Sequence, residues 1–152
     1  MTGDPPTGYP GDAATEAPRM RLDYAFLCDA ATQHAGKVNA LGIGIDHIGV
    51  SALPALHPRL TLVVRLVFEG AGGASLPLVV RMVDADGRDV VTPVEARFDV
   101  RAAPGRQHEA ATLLVDLLNL QLTTTGPHEV QVSSTGTPIA TLPIEVGRVA
   151  AA

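Results

Sequence analysis

A single cysteine, Cys28, stands among 152 residues, so the chain can form no internal disulfide and no multi-cysteine zinc site. Its strand-like surroundings mark Cys28 as a small core residue rather than a reactive thiol. Aromatic residues make up 3% and tryptophan is absent, which leaves little for stacking on bases or sugars. Eleven basic residues against sixteen acidic ones give a net charge of −5, so no basic footprint exists for a phosphate backbone. No window approaches the ~18 consecutive apolar residues of a membrane span. The amino terminus lacks the basic start and apolar stretch of a signal peptide and carries Pro5, Pro6, Pro10 and Pro18 instead. Cytoplasmic residence is the expectation, with neither nucleic acid nor membrane as a partner.

Valine, leucine and alanine dominate a composition that is 46% hydrophobic. Such a supply suits a packed aliphatic β-core, and the length suits one domain. Residues 1–19 are rich in Pro, Gly, Ala and Thr without a period, which predicts a disordered tail. Met20 follows immediately and is a candidate true start. Residues 20–148 are expected to form the domain, and residues 149–152 to fray.

Within the domain the two-residue period dominates. Arg21–Ala30 and Gly36–Ile48 read as two strands joined by a short polar link. Leu22, Tyr24, Phe26 and Cys28 alternate with Asp23, Ala25, Leu27 and Asp29, and by period Tyr24, Phe26 and Cys28 turn toward the core while Asp23 and Asp29 turn away. Leu60, Leu62, Val64, Leu66 and Phe68 alternate with Thr61, Val63, Arg65, Val67 and Glu69. Val94, Ala96, Phe98 and Val100 alternate with Glu95, Arg97, Asp99 and Arg101, which gives one buried and one fully charged face.

Turn chemistry separates the runs. Asp86-Gly87 predicts a hairpin between Leu78–Asp84 and Asp89–Thr92, because a tight primed turn needs positive φ at its central residues. Gly70-Ala-Gly-Gly73 divides two further strands, and Thr135-Gly136 with Pro138 closes a hairpin between Glu129–Ser134 and Ile139–Val146. Glu109–Leu122 fits strand spacing, but Ala110, Leu113, Leu114, Leu117 and Leu118 also admit a short helix around 109–118. The bend at Asn119-Leu120 before Gly126-Pro127-His128 favours a strand there, in the rhythm of an immunoglobulin-like corner with His128 where a tyrosine usually sits. The expected fold is all-β, an immunoglobulin-like antiparallel β-sandwich of about seven or eight strands.

The segments Leu22-Asp-Tyr-Ala-Phe-Leu-Cys-Asp-Ala30 and Gly36-Lys-Val-Asn-Ala-Leu-Gly42 resemble an uncharacterised bacterial family of single-domain β-sandwich proteins. The likeness continues through Ile45–Ile48, His57-Pro58, Asp84–Gly87 and Asn119–Val130, and covers residues 20 to 147. It implies the fold and carries no functional residue with it. The tail lies outside it, and His128 departs from the aromatic residue expected at its position.

Chemistry-bearing patterns are sparse. Asp84, Asp86, Gly87 and Asp89 suggest a calcium loop, but the chain runs straight into Val90-Val91 without further oxygen ligands or a downstream Glu; a hairpin turn is the better reading. His34, His47, His57, His108 and His128 have no partner at metal-ligand spacing and read as loop or surface residues. Asp46 and His47 are adjacent, so on a strand they point to opposite faces and cannot form a carboxylate–imidazole pair. Gly42-Ile43-Gly44 lacks the third glycine and the helix of a dinucleotide site, and reads as a bulge or close backbone approach. Ser51, Ser75, Ser133 and Ser134 have no nucleophile elbow. Accordingly, no catalytic, cofactor-binding or metal-ligating residue is assigned and no cofactor is expected.

Interaction surface is what remains. Edge strands pair with other chains unless blocked, and Pro54, Pro58, Pro77 and the charged row at Glu95–Arg101 look like such blocks. A remaining open edge would bind a protein partner or a second copy of the chain. The Leu53–Leu56 loop is a second candidate contact, although a core-facing loop is the simpler reading. The rival is an enzymatic or small-ligand-binding domain whose site assembles only in three dimensions, from several of Asp23, Asp29, Asp46, His47 and His57. A third reading makes the domain an accessory recruited to a larger assembly by its tail.

Overall fold

The alternation from Leu60 to Phe68 becomes the middle of a fifteen-residue strand that carries the whole architecture. The computed structural model describes residues 19–69, 74–100, 105 and 108–150. The expected tail up to Pro18, the Gly70–Gly73 turn, Arg101 and Ala151–Ala152 lie outside those residues. Ten strands follow in order: β1 (Arg19–Cys28), β2 (Ala30–His34), β3 (Lys37–Leu41), β4 (His47–Val50), β5 (Ala55–Glu69), β6 (Ala74–Val83), β7 (Val94–Val100), β8 (His108–Leu122), β9 (Gly126–Ser134) and β10 (Thr137–Arg148). No helix occurs among the described residues, so none is long and apolar enough to cross a membrane.

The all-β class is as the sequence implies. The strands form a three-stranded sheet β1-β5-β8, a five-stranded sheet β4-β10-β9-β6-β7 and a small β2-β3 hairpin. Pairing is antiparallel except between β4 and β10, which run parallel, so the larger sheet is mixed and the strand count exceeds the expected seven or eight. The two larger sheets meet across one core. Leu60, Leu62, Val64 and Leu66 of β5 join Leu78, Val80 and Met82 of β6 and Val130 and Val132 of β9 in a single cluster.

Over 109–118 the chain is strand, not helix. The leucines satisfy both periods, and tertiary pairing decides: β8 matches β5 residue for residue from Glu69 opposite His108 to Ala55 opposite Leu122. A helix would leave the edge of β5 without its hydrogen-bond partners. Both strands change which residues face the core near Pro58-Arg59 and Leu118-Asn119. Val115 and Leu117 are buried above that point and Leu120 and Leu122 below it, and Asn119 takes the positive φ of 56° that makes the step.

Two other segments differ from expectation. The polar link after Cys28 is itself a strand: β2 and β3 form a hairpin closed by Ala35 and Gly36 at φ of 51° and 74°. Its turn was illegible because alanine is not a usual positive-φ residue. The strand expected over Asp89–Thr92 shrinks to one bridge between Val83 and Asp89, because the Val90 carbonyl accepts a bond from Gln121 N–H of β8 and the segment crosses to the other sheet. The hairpin at Thr135-Gly136 closes as expected, with φ of 47° and 82°.

Candidate functional site

One bulge settles where the residues of β1 point. Leu22 stands opposite Leu66, but Tyr24 stands opposite Arg65, so Asp23 is an extra residue. Beyond it the alternation inverts. Ala25 and Leu27 pack into the core, and Tyr24, Phe26 and Cys28 lie on the outer face of the three-stranded sheet. The inward direction expected for these three is therefore reversed, since a one-residue slip moves every later side chain to the opposite face.

That outer face is built in rows set by register. Tyr24, Arg65 and Thr112 form the first; Phe26, Val63 and Leu114 the second; Cys28, Thr61 and Asp116 the third. The Tyr24 and Phe26 rings stack with centroids 5.7 Å apart and planes 22° from parallel, both half-buried. Val63, Thr61 and Cys28 are fully buried although none belongs to the core between the sheets. Burial holds the Cys28 thiol above its ordinary pKa, and its Sγ lies 3.5 Å from the Ala30 carbonyl oxygen. It is a packed, protonated thiol, and not an activated one.

Charges close the face at both ends. Arg65 Nε lies 3.0 Å from Asp23, and Arg21 lies 3.8 Å from Asp23 and 3.5 Å from Glu69. His108 Nδ1 is 3.8 Å from Glu69. At the opposite end Arg59 donates from Nε and Nη2 to both carboxylate oxygens of Asp116, three contacts at 3.1–3.2 Å. Asp116 also accepts a 2.6 Å bond from the buried Thr61 hydroxyl. The face thus has an apolar centre with paired charges at its margins. The signal for it in the sequence was apolar residues on both faces of β5, since Val63 and Val67 interrupt what would be a polar row.

Elsewhere the proposed chemistry resolves into structure. The Asp84 carboxylate accepts N–H bonds from Asp86 at 2.9 Å and Arg88 at 3.0 Å, and these hold its pKa below the usual carboxylate value. Asp89 pairs with Arg81 at 2.9 and 3.1 Å, which raises the guanidinium pKa further. Asp84, Gly87 and Asp89 thus form a turn with its acceptors already engaged. Among the described residues no three His, Cys, Asp or Glu side chains form a metal cluster. No hydrogen bond or ion pair among those described joins any two of Asp23, Asp29, Asp46, His47 and His57.

All five histidines sit on strands rather than loops. His34, His47 and His108 are exposed and His57 is half-buried, but His128 is buried at 1% exposure. The surface reading fails for His128 because it shares the core-facing side of β9 with Val130 and Val132. Its Nδ1 is 3.0 Å from the Gly126 carbonyl oxygen, and its Nε2 has no partner. Gly42 has φ of 67°, and a side chain there would strike the Asp29 carboxylate, so this glycine serves a close approach. Ser75 and Ser134 spend their hydroxyls on Asp99 and the Pro77 carbonyl, each as a donor. Leu56, in the segment weighed as a core-facing loop, is 61% exposed.

A concavity of about 630 Å³ lies between the 84–93 segment and the lower half of β8. Arg88, Thr92, Pro93, Leu118, Asn119 and Gln121 contribute to its walls. Its polar groups face different directions in the chain's hydrogen bonding: Asp84 and Asp89 are engaged, as described above, and Gln121 N–H holds Val90.

Among family models, one described as a family of unknown function (DUF6941) matches residues 23–147. No curated protein matches the chain. Among solved structures, the chain is similar to part of a β-glucosidase from Listeria innocua, at 11% identity and a TM-score of 0.50, covering 89% of this chain and 17% of that one. It is also similar to part of the β-D-glucoside glucohydrolase from Trichoderma reesei, at 9% identity and 0.50, covering 86% of this chain and 19% of that one. The chain thus spans less than a fifth of either enzyme, and the likeness is one of fold alone.

Proposed function

We propose, from the premise that the chain belongs to this family of unknown function, that it is a non-enzymatic interaction module that binds a protein partner or itself through the outer face of the β1-β5-β8 sheet. One observation carries the reading: the row Phe26–Val63–Leu114 and the stacked Tyr24 lie outside the core, yet are apolar and partly or fully buried. Val63 is already out of water, so a partner would gain from the half-buried Tyr24, Phe26 and Leu114, at roughly 25 cal/mol per Å² of apolar surface still to be covered. The charged rim supplies register and orientation more than affinity. A cytoplasmic setting belongs to the same reading, because a lone free thiol is ordinary in a reducing compartment.

The test is light scattering on the full chain together with affinity capture from a bacterial host extract, each repeated with Leu114→Asp. Self-association or a retained protein that Leu114→Asp abolishes supports the module. A strict monomer that retains nothing overturns it.

The concavity beside the 84–93 segment favours a second reading, a small-ligand-binding or enzymatic domain. Thermal-shift screening against metals and metabolites tests it, since a ligand that binds only the folded state raises its apparent stability. A melting temperature indifferent to the whole screen counts against this reading.

A further inference from the structure

We infer that the partner of this sheet is a second copy of the chain, docked at its edge by antiparallel pairing of β8 with β8 about a two-fold axis through Thr112, so that the outer faces of the two copies become one. The inference rests on the interaction-module reading and names its partner. It begins from which edges are open. β1 carries the Asp23 bulge, and its Leu27 carbonyl already accepts bonds from Gly44 and Ile45 N–H. β4 is four residues long. β7 follows Pro93 and presents Glu95, Arg97 and Asp99 outward. These are the devices by which proteins close their edges.

Above Asn119 β8 has no bulge and no proline, and its only carboxylates are Glu109 and Asp116. It is fifteen residues long, contains no Pro, Lys, Arg or Gly, and pairs only with β5 among the described residues. At its lower end Gln121 N–H reaches the Val90 carbonyl, so the far side of this strand accepts a backbone partner where one is offered.

The residues of β8 are complementary to themselves in one register. With Thr112 opposite its own copy, Ala110 comes opposite Leu114 and His108 opposite Asp116, each twice by symmetry. On the inner side Ala111 meets Leu113 and Glu109 meets Val115. No acidic residue opposes another, and the one ionisable cross-pair, His108 with Asp116, has complementary character. Moving the axis to Leu113 would place Asp116 against Ala110 and His108 against Leu118, and that complementarity is lost. Pairing at Thr112 joins two three-stranded sheets into a six-stranded one and runs each Phe26–Val63–Leu114 row on into Ala110 and Val67 of the other copy. The Thr112 side chains face each other and can exchange a hydroxyl bond.

Sedimentation of the full chain across a concentration series tests the pairing. Wild type is expected to be a dimer. Thr112→Lys and Thr112→Glu each set like charges face to face, and each should raise the dimer dissociation constant roughly tenfold or more. An equimolar mixture of the two should recover the dimer, because only a two-fold through this residue brings position 112 against itself. Failure of the mixture to recover it overturns the register. A monomeric wild type that still captures a different protein through Leu114 overturns the self-pairing and leaves the interaction module standing. Should either variant fail to fold, amide exchange of wild-type β8 at low and high concentration decides the matter. Protection over 110–116 rising with concentration supports the dimer, and protection independent of concentration overturns it.

Discussion

The two large sheets share one core but turn very different faces outward. On the five-stranded sheet the outward positions hold Glu95, Arg97 and Asp99 of β7, Arg81 of β6, Glu129 and Gln131 of β9, and Glu145 of β10. Arg97 donates to Ser75, and Ser75 in turn to Asp99, in an exposed chain of bonds. On the three-stranded sheet the equivalent positions hold Tyr24, Phe26, Val63, Val67 and Leu114, with Arg65 between the two valines and paired to Asp23. A face made for water needs no apolar row, and this contrast is the ground of the proposed interaction module.

The largest effect separates the faces directly. Leu62 and Val63 are neighbours on β5, both fully buried, one inward and one outward. Leu62→Ala opens a cavity between the sheets and should cost about 2–5 kcal/mol. Val63→Ala should cost about 1–3 kcal/mol, because that side chain is buried as completely. Glu95→Ala, outward on the other sheet, should fall within about 0.5 kcal/mol of wild type. Urea denaturation of the three variants checks all of this. A Val63→Ala variant as stable as Glu95→Ala would erase the distinction between the faces.

Smaller is the effect at the polar end of the apolar face. The Thr61 hydroxyl is fully buried and its acceptor is the half-exposed Asp116. Asp116→Ala strands that hydroxyl and should cost about 1–3 kcal/mol. The Arg59 ion pair is solvent-exposed and adds about 1 kcal/mol or less. Thr61→Val removes the stranded group, so the double variant should recover part of the loss. Strict additivity in the cycle would mean that the hydrogen bond contributes nothing.

The same contrast explains what could be read from the sequence. β5 and β7 were legible because their alternation is unbroken over the length that faces the core, and β7 is charged on one side and apolar on the other. β1 was misread because a bulge is a single extra residue, and nothing about Asp23 marks it as extra. β8 was ambiguous because leucines at 113, 114, 117 and 118 satisfy both periods, and only β5 alongside resolves them. The candidate surface went unseen for a related reason. It is assembled from three strands separated by up to 90 positions in the chain, as in Phe26 opposite Val63 opposite Leu114, and no local pattern encodes register between strands. Its one local trace was the pair Val63 and Val67 at outward positions. The turn at Asp84–Gly87, by contrast, is local and was legible in kind.

That turn offers a pH test belonging to neither face. The Asp84 pKa is depressed chiefly by the N–H bonds from Arg88 and Asp86, with the nearby His128 and Arg88 helping. A depressed carboxylate stabilises the fold above its ordinary pKa of 3.8, and that contribution is lost as pH falls through the lower folded value. Asp84→Ala should therefore melt below wild type at pH 7, and the gap should narrow under acid below 3.8. Melting curves at both pH values decide it. A gap constant with pH would mean that the carboxylate's charge is irrelevant to the turn.

The smallest effect belongs to the charged face. Arg97→Ala removes the guanidinium whose Nη1 lies 3.0 Å from Ser75 Oγ. Ser75 keeps its 2.8 Å bond to Asp99, so no group is left stranded. Exposed polar contacts exchange one set of hydrogen bonds for water, and the loss should be about 0.5 kcal/mol or less, falling further as salt is raised. Denaturation at low and high ionic strength reads both quantities. A loss above about 2 kcal/mol would place this face in the same energetic class as the apolar one. The row Glu95–Arg97–Asp99 would then be a structural network, and no longer a surface kept polar for contact with water.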